Sequence, residues 1–172
     1  KLFLMFGVAE DHDSNPIKAG LARLKERGAK YISVNPVQTG YSAVADEWLP
    51  IRPGTDGAFV LALVHELVRT RRFDLDSLVR FTNAGWLVFD APGTAQDGLF
   101  ARNAEGAPLS WDRTANALAD ARAPDIAPAL SGRYEVDGVA AVPVLELIVR
   151  RYAEETYSPA AAEKVCGIPA SR

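Results

Sequence analysis

Apolar residues fall along this chain in two ways: short unbroken runs, and longer stretches where they recur every three or four positions. Leu2-Phe3-Leu4-Met5-Phe6, closed by Gly7, is of the first kind and predicts a strand buried on both faces of a parallel sheet. Residues 17 to 27 are of the second kind, with Ile17, Leu21 and Leu24 at helical spacing and Gly28 where a helix would be capped. "KYISV", 30 to 34, predicts a second strand ending at Asn35-Pro36, and "WLPI", 48 to 51, a third and shorter one. Between them the segment 35 to 56 looks like two loops tied by a short helix. From Ala58 to Arg72 runs the clearest helix, whose Phe59, Leu63 and Leu67, flanked by Val60, Val64 and Val68, predict a wide apolar face. Strands alternating with helices predict a doubly wound (Rossmann-like), mostly parallel α/β sheet.

The second half is less regular. Residues 73 to 88 predict a helix capped by Asp74 or Asp76 and then a turn at 83 to 85. Residues 90 to 140 gather much of the Gly, Pro, Asp and Asn, and predict an irregular insertion with one or two hairpins. "VPVLELIVRRYAEE", 142 to 155, returns to an amphipathic helix. "YSPAAAEKVCGIPASR" reads as a short helix with proline at its start and a glycine stop, then a proline opening a further helix. No repeat of fixed period interrupts this order, so the expectation is one α/β domain over 1 to 172 bearing a long excursion. Lys1 leads directly into a strand without an initiator methionine, and the chain is expected to be a piece of a longer protein.

In an open parallel sheet, ligands sit beyond the carboxyl ends of the strands, where helix N-termini present unpaired N–H groups. The loops after the three predicted strands, 7 to 16, "NPVQT" and "RPGTD", would share such an edge. Gly7 allows backbone to approach a ligand closely, and Ser14 or Asn15 is placed to cap the first helix. Asn35 and Thr39 offer donors and acceptors for ribose hydroxyls or a base edge. Asp56, after the Pro53-Gly54 turn, is an acceptor pair for adjacent N–H donors of the kind guanine presents at N1 and N2. The same residues have plainer explanations. An aspartate at a helix start is ordinary as an N-cap or first-turn acid, and Asn35-Pro36 and Pro53-Gly54 are adequate turn formers.

Composition narrows the classes. The 172 residues are 48% hydrophobic and 24% charged, the mixture of a folded globular chain. A formal charge of −3 leaves no basic field for a nucleic-acid backbone. The opening apolar run is too short for a signal peptide or a membrane span. The lone Cys166 has no partner for a disulfide and no CxxC spacing, while His12 and His65 do not form a metal-ligand pair. Neither GxGxxG nor a P-loop is present, and no Ser, His and Asp set stands out as catalytic. Trp48, Trp86 and Trp111 are expected in core or hairpin packing.

Residues 28 to 68, "GAKYISVNPVQTGYSAVADEWLPIRPGTDGAFVLALVHELV", resemble the molybdopterin oxidoreductase family of the dimethyl sulfoxide reductase type. The shared pattern is a strand ending in Asp or Asn, Pro-x-x-Thr, Ala-Asp, a strand running into Pro-Gly-Thr-Asp, and a long apolar helix. "YSPAAAEKVCGIP" is also similar to a recurrent segment of that family. The resemblance implies a cofactor-binding α/β part of a molybdenum oxidoreductase that carries bis(molybdopterin guanine dinucleotide). It implies that Asn35, Pro36 and Thr39 fall at the nucleotide's ribose or base, Pro53, Gly54 and Asp56 at its guanine, and Gly7 near its phosphates. The chain departs from the family pattern at Asn35-Pro36-Val37, where Asp-Pro-Arg is common, and at Gly7-Val8-Ala9-Glu10, where Gly-x-Asn-Pro is usual. The molybdenum ligand, and an iron–sulfur cluster where one occurs, would lie upstream, so this segment would hold cofactor without catalysing. Its partners would be the remaining domains of the parent enzyme and electron-transfer subunits, in the cytoplasm or periplasm. The rival expectation is a stand-alone nucleotide-binding or regulatory module.

Overall fold

The computed structural model describes residues 1–7 and 15–172, with Asn15 described in its main chain only. It is a mixed α/β structure in two compact units, one made of residues 1–66 and 155–172 and the other of residues 67–154. Of the two junctions between them, the one after Glu66 falls within a helix.

In the first unit, β1 (Leu2–Phe6), β2 (Lys30–Val34) and β3 (Glu47–Leu49) form a parallel sheet in the order β1-β2-β3. α1 (Asn15–Glu26) joins the first two strands, and α2 (Gly40–Ala43) is the short helix expected between the second and third. β3 begins one residue earlier than the sequence suggests and stops at Leu49, because Pro50 has no N–H to extend the ladder. α3 (Asp56–Thr70) starts two residues earlier than its apolar pattern does. Its face is narrower than expected: Phe59, Ala62, His65 and Val68 are buried, whereas Val60, Leu63 and Leu67 are exposed.

Two clusters hold this unit. Tyr31 packs with Leu21 and Tyr41 on one side of the sheet, with Leu24 of α1 against them and Ile17 left exposed. Val34, Leu49, Ile51, Phe59 and Ala62 pack with Ala162, Cys166 and Ile168. The last three residues belong to or follow α6 (Pro159–Cys166), which has Pro159 in its first turn. Ser158 Oγ accepts the Ala161 N–H at its N-terminus, and Gly167 ends it at φ 79°. Cys166 is thus a core residue. Pro169 opens a turn closed by the Arg172 N–H on its carbonyl at 2.9 Å, not the further α-helix expected there.

Asp46 ties α1 to this sheet. The Tyr31 N–H donates to its Oδ2 at 2.7 Å, and Lys25 Nζ lies 3.2 Å from its Oδ1. The Tyr31 hydrogen bond first, and Lys25 second, hold this carboxyl below its ordinary value of 3.8. A carboxyl lowered by folding stabilises the folded state above its unfolded pKa and ceases to do so as acid protonates it. Asp46→Asn is therefore expected to lower the unfolding midpoint at pH 7. That gap should close as the pH is taken below 3.8, which denaturation curves across the acid range will read.

In the second unit the strands pair antiparallel, so the parallel arrangement expected of most of the chain is confined to the first. β4 (Leu87–Phe89), β8 (Val139–Pro143) and β7 (Tyr134–Val136) make one sheet in that order, and β5 (Leu109–Asp112) with β6 (Ala117–Asp120) another. The two hairpins expected as an upper bound are both present. Asp137 and Gly138, at φ 52° and 78°, make the two-residue turn between β7 and β8. α4 (Leu75–Phe81) is capped by Asp74, which accepts the Ser77 N–H at 3.0 Å. α5 (Val144–Tyr152) is shorter than the sequence predicts, because Val142 and Pro143 pair with Val88 and Leu87 as the end of β8. Trp86 and Trp111 pack edge-on against Phe100 and stacked on Tyr134 respectively, as expected of packing residues.

Candidate functional site

The carboxyl ends of β1, β2 and β3 form one edge, and the predicted binding residues follow from it. Gly7 donates its N–H to Val34 O at 3.1 Å and sits at φ 67°, a conformation that favours glycine. A Cβ built there would meet nothing among the described residues within 4 Å, so the requirement for glycine is conformational. The loop expected to face phosphate, with His12 and the capping Ser14, lies outside the described residues, as does the Asn15 side chain.

Asn35 is embedded in the edge. Its N–H donates to Leu49 O at 3.1 Å, its carbonyl accepts Trp48 Nε1 at 2.8 Å, and its Oδ1 accepts the Val37 N–H at 3.3 Å. The side chain is 4% exposed and closes an Asx turn on its own loop. Pro36 is exposed on that turn. Thr39 occupies the N-cap position of α2 in extended backbone, half-buried, without a side-chain bond to the helix N–H groups. Trp48 is half-buried in β3, and its Nε1 pins the Asn35 carbonyl.

Past β3 the chain turns again. Thr55 N donates to Arg52 O at 3.3 Å around Pro53 and Gly54, and Gly54 has φ 76°, the arrangement of a type II turn. Both central residues are exposed. Thr55 Oγ1 donates to the same Arg52 carbonyl at 2.6 Å, so its hydroxyl closes the turn and does not cap the helix. Asp56 is the first residue of α3 and half-buried. Among the described residues no hydrogen bond or ion pair engages its carboxylate. Asp56 is a first-turn acid of α3 and not its cap, unlike Asp74, which accepts a neighbouring N–H at the head of α4. The negative charge suits the positive end of a fifteen-residue helix and repels a phosphate there. It leaves two acceptor oxygens for a ligand carrying adjacent N–H donors.

Sequence reasoning missed Arg52. Its Nη1 donates to Lys164 O at 2.7 Å and to Val165 O at 3.2 Å, more than a hundred residues along the chain. No local spacing signals such a contact. Among the described residues no group of three His, Cys, Asp or Glu side chains is placed to hold a metal ion, and no helix is long and apolar enough to cross a membrane.

No family model matches the chain. It is 46% identical over 180 residues to a sulfite dehydrogenase polypeptide of Allochromatium vinosum, a match covering 99% of this chain and 18% of that protein. It is 36% identical over 76 residues to the molybdopterin-containing polypeptide of the thiosulfate reductase of Salmonella typhimurium, covering 44% of this chain and 9% of that protein. Acetylene hydratase from Pelobacter acetylenicus shares the fold across 99% of this chain and 15% of its own, with a TM-score of 0.56 and 17% identity. These similarities define the class, a part of a molybdenum enzyme. The chain belongs to the molybdopterin oxidoreductase family of the dimethyl sulfoxide reductase type, and it spans 18% of the length of the first relative.

Proposed function

We propose that this chain is a cofactor-holding part of a molybdenum-dependent oxidoreductase, and that the edge of its parallel sheet binds the guanine nucleotide portion of bis(molybdopterin guanine dinucleotide). The observation that carries the reading is the Asp56 carboxylate. It is unengaged by the described protein, stands at the head of α3 behind an open Pro53-Gly54 turn, and has the two-acceptor chemistry that guanine N1 and N2 require. The two acceptor oxygens of Asp56 fit that base, with Thr39 on the neighbouring loop toward its sugar, Asn35 and Pro36 setting the turn that carries Thr39, and the exposed Gly7 backbone toward phosphate. When bound, the molybdenum centre supplies the redox chemistry, while the residues of this chain bind and orient the nucleotide.

In this reading the β1-β2-β3 sheet is half of a doubly wound sheet, residues 1 to 172 act as one domain, and residues 67 to 154 are an excursion from it. The partners are the remaining segments of the parent polypeptide and an electron-transfer protein. An iron–sulfur cluster, where there is one, lies upstream. The segment alone is inactive, because the molybdenum ligand comes from elsewhere in the parent polypeptide.

The full-length protein carrying this chain tests the reading by analysis of the purified, denatured material. Molybdenum and about two equivalents of GMP per metal are expected after acid hydrolysis of a bis(dinucleotide) cofactor. Protein retaining a free guanine or adenine nucleotide without molybdenum would return the stand-alone module, and protein with no nucleotide at all would remove the guanine role.

A further inference from the structure

We infer that Arg52 is a positioning residue for this site, fixing the turn that presents Asp56 by clamping it to the C-terminus of α6. The inference rests on the proposed guanine role of Asp56.

The last carbonyls of any α-helix lack intrahelical donors and carry partial negative charge. In α6 three of them, those of Lys164, Val165 and Cys166, are taken by one residue. The Arg52 N–H donates to Cys166 O at 2.9 Å, and its guanidinium Nη1 donates to Lys164 O and Val165 O at 2.7 and 3.2 Å. The Arg52 carbonyl in turn accepts both the N–H and the hydroxyl of Thr55. One residue therefore joins a helix end to both ends of the Pro53-Gly54 turn.

Gly167 makes room for this. It lies at φ 79°, and a Cβ there would stand 3.3 Å from Arg52 Nε and 3.5 Å from its Cγ. The helix being gripped is itself anchored, since Ala162, Cys166 and Ile168 pack into the core with Val34, Leu49, Ile51 and Phe59. The turn has no such anchorage, because Pro53 and Gly54 are exposed. Its place in space is set by β3 on one side, α3 on the other, and Arg52. A preorganised carboxylate binds more tightly than one that must be ordered on binding. A guanidinium spreads donors over several carbonyls, whereas an ammonium is a single point, so lysine restores the clamp only in part.

The experiment uses the full-length holoenzyme and reads GMP released per polypeptide together with the melting temperature. Arg52→Ala is expected to retain about tenfold less guanine nucleotide than the parent, and Arg52→Lys an intermediate amount. Ser158→Ala, which removes the cap at the other end of α6 without touching the turn, is expected to lower the melting temperature and keep its nucleotide. If Arg52→Ala does not accumulate folded, Arg52→Gln, which keeps a donor and loses the charge, is read by the same criterion. Full nucleotide in both Arg52→Ala and Arg52→Gln would overturn the inference, as would equal nucleotide loss in Ser158→Ala at the same melting temperature. Asp56→Ala separates the two ideas. If it loses GMP while the Arg52 variants keep it, the clamp is wrong and the guanine site stands; if it keeps GMP in full, both fall.

Discussion

Asp56→Ala is expected to weaken GMP binding by about 100-fold while leaving the folded state almost untouched. The first part follows from two charge-assisted hydrogen bonds, each contributing about 1.5–3 kcal/mol with incomplete additivity, against about 1.4 kcal/mol for each factor of ten. The second follows from the absence of any internal partner for the carboxylate among the described residues. Removing it costs only its interaction with the helix dipole, about 0.3–1 kcal/mol. Calorimetric titration with GMP reads affinity, and thermal unfolding reads stability. Two further ligands sharpen the result. IMP lacks the N2 amine and should bind about tenfold more weakly than GMP, having lost one of the two donors. AMP places an unprotonated ring nitrogen against the carboxylate and should bind more weakly still. Equal affinity for GMP and AMP in the parent, or an unchanged GMP isotherm in Asp56→Ala, removes the guanine role from this edge.

The second large effect is on stability, at Tyr31. Its side chain is wholly buried between β1, α1 and α2, its ring centroid 6.0 Å from that of Phe3 and its hydroxyl donating to Tyr41 O at 3.1 Å, with Met5 Sδ at 3.3 Å. Burial raises its pKa above the ordinary 10.0, so the phenol is a neutral donor through the physiological range. Tyr31→Ala leaves a cavity and is expected to destabilise the fold by about 3–5 kcal/mol, the range for an aromatic removed from a core. Tyr31→Phe keeps the ring and removes only the hydroxyl's hydrogen bond, a loss of about 0.5–1.5 kcal/mol. Urea denaturation gives both values. An alanine variant no less stable than the phenylalanine one means that the ring packs no better than the space it leaves, contrary to its full burial.

The sequence by itself determined the elements whose signals are local. The run 2 to 6, the strand 30 to 34, the short helix after Thr39, the Pro-Gly turn and the helix behind it follow from side-chain periodicity, proline's fixed φ and glycine's freedom at positive φ. The order of these elements along the chain, together with the motif residues, also led to the candidate edge. What needed the tertiary structure were choices that depend on residues far away. The apolar positions of α3 divide into a buried set and an exposed set according to what packs on them, and periodicity alone offers both. Val142 and Pro143 read as a helix start until Val88 and Leu87 supply a strand for them to pair with. Asn35, a plausible rim donor by composition, has its carbonyl held by Trp48 from β3. Arg52 looks like one more exposed cation until the end of α6 arrives beside it. Local propensity acts within a few residues, whereas these contacts join positions from thirteen to more than a hundred apart, so only the folded chain could choose among them.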